Sequence, residues 1–243
     1  IIMAVKFIID AGCDLNQQQA ESMGVKLIPM TIRFGAEEYR SGVNISNKEF
    51  YEKLTTSKEN PTTSQPTPYE YEQAYEKVVS AGDEAVVLCV SSALSGTYQS
   101  ATIAADGYED RIYVIDTRAV SLGQKILLDY AIGLRDKGMS AKEIFEELEL
   151  KKQDIRVYGA VETLEYLIRG GRLSKAAGAV GSVLGIRPVL YLTDGGLGVA
   201  GKARGPKAAI TMIHKLMAET GIDYSLPFAV GYTGNDASVL EPF

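Results

Sequence analysis

Apolar residues along this chain fall in short dense runs, separated by longer stretches of helical period. The runs are VKFIID at Val5–Asp10, Val25–Ile32, AVVLCV at Ala85–Val90 and IYVID at Ile112–Asp116. They are rich in β-branched residues and show little polar alternation. Such runs predict strands buried on both faces, and therefore a mainly parallel sheet. The intervening stretches announce helix starts. Ser46 with Glu49, Thr67 with Glu70 and Ser140 with Glu143 are capping boxes, the second with Pro68 at the first helical position. Asn16 with Gln19 is a weaker version, closed by Gly24. Helices placed between such strands predict an α/β fold, a mainly parallel sheet with helices on both faces.

The pattern changes after Lys151. Ile155–Val161, Ile186–Thr193 and Leu197–Lys202 read as strands, the last two joined through a hairpin-like Asp194-Gly195-Gly196 turn. Helices are predicted at Glu162–Leu167 and from Pro206 to Met217, with a last strand at Leu226–Tyr232. A small-residue stretch, Gly170–Gly178, and an apolar one, Val180–Leu184, lie between. The expectation is an α/β domain over residues 1–152 and a second, smaller mixed α+β domain over 153–243.

Composition narrows the function classes. The 243 residues carry a net charge of −6, which argues against a nucleic-acid surface, since phosphate binding needs a basic patch. No apolar run approaches the ~18–20 residues that span a bilayer. Cys13 and Cys89 have no C-x-x-C spacing, so neither a disulfide framework nor a zinc site is expected, and a reducing, cytoplasmic setting fits. His214 is the one histidine, and there is no Trp.

Two motifs are refused on context. Gly196-Leu197-Gly198-Val199-Ala200-Gly201-Lys202-Ala203 fits G-x-G-x-x-G, and fits a P-loop apart from Ala203 at the magnesium-binding position. Both patterns need a helix starting inside the glycine run, whereas Val199 and Ala200 continue a strand and the next helix waits for Pro206. Ser91-Ser92-Ala93-Leu94-Ser95-Gly96-Thr97 follows a strand but lacks the G-x-S-x-G of a nucleophile elbow. Its only possible histidine base, His214, lies beside the apolar stripe of Ile210, Ile213 and Met217, where a helix-flank role is the simpler reading. No catalytic residue, metal ligand or cofactor is assigned.

Two hydroxyl-rich loops remain: Pro61–Pro68 and Ser91–Thr97, the second leaving a strand and opening a helix. In a parallel sheet, a strand's carboxyl end facing a helix N-terminus is where ligands bind. Free helix amides favour an anion there, and Ser and Thr hydroxyls add donors without bulk. The same residues serve equally well as turn and N-cap residues, and nothing in the spacing shows that the loops converge. The residues themselves point to a small anionic head group, carboxylate or phosphate.

The motifs TSQP at Thr63–Pro66, SSALSGTYQSA at Ser91–Ala101, IDT at Ile115–Thr117, SLGQ at Ser121–Gln124, LEYLIRGGRLS at Leu164–Ser174 and GSVLGIRP at Gly181–Pro188 resemble those of DegV-family proteins. The resemblance runs in order from about Phe7 to Tyr232. It implies two domains with a long-chain fatty acid buried between them. It also implies service as the fatty-acid-binding subunit of a fatty acid kinase, where a separate kinase phosphorylates the presented carboxylate for phospholipid synthesis. Carried over by position, it implies carboxylate contacts from Thr63 and Ser95, with Ser64 and Ser92 as neighbours. Arg172 and Arg204 match basic positions near the pocket mouth that a kinase could read. Capping a helix end is the ordinary alternative for Arg172, and a solvated charge for Arg204.

The sequence departs from the family pattern at Ser41 and Asn44, where Asp is common, and at Ala11, where Ser is usual. The family also continues beyond Phe243 with a G-x-H-x-G-P-G type segment, so the second domain is expected to lack its usual C-terminal end here. The alternatives to a carrier are a serine-dependent hydrolase or phosphotransferase acting without a partner, and a structural or regulatory interaction module. No nucleic-acid partner and no stable membrane insertion are expected.

Overall fold

The computed structural model describes residues 3–174, 185–234 and 236–240. The chain forms two compact units: one from its start to Ile155 together with the stretch from Ala229, the other from Arg156–Phe228.

The first unit runs β1 (Val5–Asp10), α1 (Gln17–Ser22), β2 (Val25–Ile28), β3 (Thr31–Phe34), β4 (Glu37–Arg40), α2 (Asn47–Thr56), β5 (Thr62–Ser64), α3 (Pro68–Ser80), β6 (Glu84–Cys89), α4 (Thr97–Ala104), β7 (Ile112–Asp116), α5 (Leu122–Asp136) and α6 (Ala141–Lys151). Its main sheet has the order β2-β1-β6-β7, with every pairing parallel. The apolar runs behave as strands buried on both faces must. Phe7, Ile9, Val86 and Leu88 pack toward Leu127, Leu128, Ile144 and Leu148 of α5 and α6. Ile8, Val87 and Cys89 face Tyr71 and Tyr75 of α3 and Ala101 of α4 on the other side. Cys13 and Cys89 are buried free thiols. All four expected capping boxes form, at Asn16, Ser46, Thr67 and Ser140.

One predicted strand proves to be two. Val25–Ile32 breaks at Pro29 and Met30, since proline has no amide to continue the ladder. The Arg40 guanidinium donates to the Pro29 carbonyl (3.1 Å) and to the Thr31 hydroxyl (2.9 Å). Beyond the break, β3 joins a separate antiparallel sheet, β4-β3-β5. Ser41 and Asn44 serve the adjoining turn: the Ser41 hydroxyl accepts from the Met30 amide (2.9 Å) and the Asn44 side chain from the Arg40 amide (2.6 Å).

The second unit contains β8 (Tyr158–Ala160), α7 (Glu165–Arg169), β9 (Ile186–Thr193), β10 (Gly196–Arg204) and α8 (Gly205–Thr220). Its strands form an antiparallel sheet of order β10-β9-β8, so this unit is mixed α and β. Val189 and Ala203 pack on Ala209 and Ile213 of α8, and Leu190 packs with Leu164 and Leu173. The refused glycine-rich motif lies within β10 and its turn, and His214 is exposed on α8.

Leu226–Tyr232, expected as a last strand, is not one. Among the described residues it pairs with no strand, and Phe228, Val230 and Tyr232 are exposed. A strand without a neighbour has no ladder to hold it. The predicted Val180–Leu184 run lies outside the described residues, as do 175–178 of the small-residue stretch and the first four residues of GSVLGIRP.

Candidate ligand-binding site

In the order β2-β1-β6-β7 the chain leaves β1 toward one side for β2 and later fills the other side with β6 and β7. The direction of winding reverses between β1 and β6. In open parallel sheets the crevice outside the strand ends at such a point receives ligands. Asp10 ends β1 there, and Val90 and Ser91–Gly96 leave β6 directly beside it.

Asp10 is completely buried and organises this edge. Its carboxylate accepts from the Val90 amide (2.7 Å), the Gly12 amide (2.8 Å) and the Gln124 side-chain nitrogen (3.2 Å). Burial pushes its pKa up to about 6 against the opposing pull of those donors. Gly12 has to be glycine at this approach, because a Cβ there would lie 2.7 Å from the Asp10 carboxylate and 3.0 Å from the Val90 side chain. One strand further along, the Thr117 hydroxyl donates to the Cys89 carbonyl (2.7 Å), and the Ser91 amide donates to the Ala119 carbonyl (2.9 Å). Arg118 (φ 51°) and Ser121 (φ 56°) take left-handed backbone in the connecting loop. Ser121 is held by donating its amide to the Gly12 carbonyl (2.7 Å) and its hydroxyl to Asp14. Burial raises the pKa of Asp14 as well, with the Ser121 hydroxyl opposing.

The loop after β6 leads into α4, whose N-cap is Gly96 with no side chain capping it. An uncapped N-terminus presents amide donors and the positive dipole end. Ser95 sits at its mouth, with its hydroxyl 2.8 Å from that of Thr97 and accepting from the Thr97 amide (3.4 Å). Ser92 is oriented differently. Its hydroxyl donates to Asp116 (2.5 Å) and its amide donates to the same carboxylate (3.2 Å), so in this pose its proton is directed at Asp116 and not at an incoming anion.

The two hydroxyl-rich loops, whose convergence the spacing left open, do meet. Gln65 of the TSQP segment donates to the Ser100 hydroxyl on α4 (3.1 Å). Its amide lies so close over Gly96 that a Cβ there would fall 2.2 Å from the Gln65 oxygen. An alanine at 96 would displace the Gln65 side chain and uncouple the loops. Thr63 and Ser64 belong to β5, pairing with Ile32 and Thr31 of β3, so pleating sends their side chains to opposite faces. Ser64 shares its face with Arg33, which approaches its hydroxyl at 3.5 Å, while Thr63 points the other way. The two therefore do not act side by side.

The two arginines lie in the second unit. Arg172 follows α7, and its guanidinium donates to the Gly170 carbonyl (2.5 Å), the helix-capping arrangement that was its ordinary alternative. Arg204 is exposed at the end of β10, where the chain turns into α8. Among the described residues, no group of three or more His, Cys, Asp or Glu side chains is placed to hold a metal ion, and no helix is long and apolar enough to cross a membrane.

Gln65, Asp10 and Gln124 have no assigned role in the residue pattern alone. Asp10 served only to mark the end of the first strand, and the two glutamines stood inside TSQP and SLGQ without a role. A carboxylate closing an apolar strand was the available signal for Asp10.

Taken together, the fold and this edge define an open α/β protein with polar loops gathered at the carboxyl ends of its parallel strands. The family model described as "Uncharacterised protein, DegV family" matches residues 4–241, and the chain belongs to the DegV family. It is 36% identical over 222 residues to a DegV domain-containing protein of Caldanaerobacter subterraneus subsp. tengcongensis, covering 91% of this chain and 79% of the relative. Among solved structures it is similar to a DegV family protein from Thermus thermophilus described by its fatty acid binding. That match has a TM-score of 0.82 and 34% identity, covering 90% of this chain and 78% of that one. It is also similar to the Streptococcus pneumoniae Fatty Acid Kinase (Fak) B3 protein loaded with linoleic acid, with a TM-score of 0.79 and 25% identity, covering 90% and 79%.

Proposed function

We propose that this protein binds a long-chain fatty acid by its carboxylate at the carboxyl edge of the β2-β1-β6-β7 sheet, and presents it to a separate kinase in the cytoplasm. The observation that carries this is the meeting of the TSQP and LSGT segments through Gln65, at an uncapped helix N-terminus beside Ser95. Relatives described as fatty-acid-bound supply the chemical class of the anion. Amides and the Ser95 hydroxyl would orient the head group, with Thr63 reaching in from β5. Each buried methylene contributes ~0.8 kcal/mol, so a long tail supplies most of the affinity and the hydroxyl loops set its direction.

A carboxylate held at an exposed strand end remains open to attack on a partner's nucleoside triphosphate. One carboxylate oxygen bonds to the terminal phosphorus, the bond to the diphosphate leaving group breaks, and an acyl phosphate results. This chain's part is to hold and orient the nucleophile, and Arg172 and Arg204 are candidate contacts for the kinase.

Native mass spectrometry of the purified protein is expected to show an added mass matching a long-chain fatty acid, and a clean ligand-free mass counts against the proposal. Ser95→Ala is expected to release labelled fatty acid about tenfold faster with the fold intact, the loss of a hydrogen bond to a charged group. Unchanged retention removes Ser95 from the site. Turnover of an ester or phosphate substrate without any partner would favour a hydrolase or phosphotransferase instead.

A further inference from the structure

Gln124 has a loose end inside the buried cluster that underlies the site. The residue is completely buried, yet its side-chain oxygen has no hydrogen-bond partner among the described residues. The nitrogen of the same amide is doubly engaged, donating to Asp10 (3.2 Å) and to the Leu88 carbonyl (3.2 Å). All the donors around Asp10 therefore match an ionised carboxylate. A neutral carboxylic acid needs an acceptor for its own proton, and the Gln124 oxygen is an unpartnered acceptor on a side chain already bonded to Asp10, the Tyr71 hydroxyl being the other such buried atom among the described residues. Bringing the Gln124 oxygen to Asp10 means turning the amide over and giving up the bond to Leu88. The ionised and the neutral carboxyl therefore call for different arrangements of this buried cluster.

The cluster adjoins the ligand edge directly. The Asp10 carboxylate holds the Val90 amide, and Val90 is the last residue before Ser91–Gly96. Its other oxygen holds Gly12, whose carbonyl in turn receives the Ser121 amide. We propose that Asp10 and Gln124 are positioning residues for the head-group loop, which takes its ligand-receiving pose while Asp10 is ionised and loosens when Asp10 is protonated.

This rests on the fatty-acid reading of the site only for its consequence in binding; the coupling of Asp10 to the loop stands apart from it. The titratable groups facing Asp10 are Cys13 on its own turn, Cys89 on β6 and Tyr71 on α3. Burial raises all three, the Cys13 thiol to about 12, so they stay neutral while Asp10 titrates. Asp14, bonded to Ser121, is the second carboxylate in the region, and a variant at Asp10 separates the two.

The test is an amide-proton NMR titration of the whole chain from about pH 5 to about pH 8, run beside retention of carboxyl-labelled oleic acid. The Val90, Ser91, Ser92 and Ser95 amides are expected to move with one midpoint near 6. Oleate retention is expected to fall about fivefold or more as pH is lowered through the same midpoint. Asp10→Asn is expected to flatten the titration and leave these amides near the wild-type acid positions. Gln124→Met removes a donor that favours the charged form, so its midpoint is expected to shift upward; a residue that served packing alone would not move it. Gln124→Met also decides the matter should Asp10→Asn fail to fold. Amides without a common midpoint, a titration unchanged in Asp10→Asn, an unmoved midpoint in Gln124→Met, or oleate retention that ignores the amide transition each overturn the proposal. A protein that retains no oleate at any pH overturns the proposed function, and leaves the coupling read from the amides in place.

Discussion

The central strands of the two units bury their residues very differently. In β6 all six residues are buried, from Glu84 to Cys89, whereas in the eight-residue β9 only Pro188, Val189 and Leu190 are. The first unit's sheet is parallel and needs crossover helices, which cover it on both faces. The second unit's sheet is antiparallel, made with a short turn, and its packed clusters around Val189 and Leu190 are small. The consequence reaches function. A doubly covered sheet leaves its strand ends as the place where polar loops can gather, and a rigid core beneath can hold a carboxylate such as Asp10 without water. The chemistry-bearing loops therefore belong to the unit with the deeper core.

The contrast can be broken by mutation. Leu88→Ala, at a fully buried position in the first unit, is expected to cost about 2–5 kcal/mol in urea unfolding. Leu197→Ala, half-buried on β10, is expected to cost less than about 1.5 kcal/mol. Equal losses would mean that the second unit is as tightly cored as the first.

Next in size is the pH dependence of stability. The folded-state pKa of Asp10 lies at about 6, above its ordinary value of 3.8, so the folded protein binds that proton more tightly than the unfolded chain. Its contribution is fully present below pH 3.8 and is lost as pH rises through about 6. Relative to Asp10→Asn, wild type is expected to lose about 3 kcal/mol across that window, by denaturant unfolding at a series of pH values. Parallel curves for the two proteins would mean that the carboxylate is solvated and that the first unit's edge is no drier than the second unit's surface.

Gln65→Ala sharpens the comparison at the site. Loss of the bond to Ser100 is expected to cost about 1 kcal/mol and to speed release of labelled oleate about fivefold, read by rapid dilution. Smallest is Ser140→Ala, which removes the α6 capping box and is expected to lower stability by about 1 kcal/mol or less without affecting ligand retention.

Much of the fold was legible because its determinants are local. Capping boxes join residues three apart, and the Asn16, Ser46, Thr67 and Ser140 starts form as read. Unbroken apolar runs declare a sheet covered on both faces, and the Asp194-Gly195 turn declares the hairpin of the second unit. The misreadings occur where a neighbour decides. Val25–Ile32 is apolar apart from Lys26 and Thr31, but Pro29 and the partners β4 and β5 divide it between two sheets. Leu226–Tyr232 has a strand's composition and, among the described residues, no strand to pair with.

The site divides along the same line. That Thr63, Ser92 and Ser95 stand in hydroxyl-rich loops of a kind suited to an anion is legible from the residues, because hydroxyl content and helix starts are properties of short segments. The folded chain adds that Gln65 joins those loops, that pleating parts Thr63 from Ser64, and that Ser92 turns to Asp116. Folding also brings Val90 to Asp10 across 80 positions of chain and Gln124 to it across 114. Contacts of that range depend on the order in which strands assemble, and strand order is set by the packing of the whole sheet and not by any segment within it.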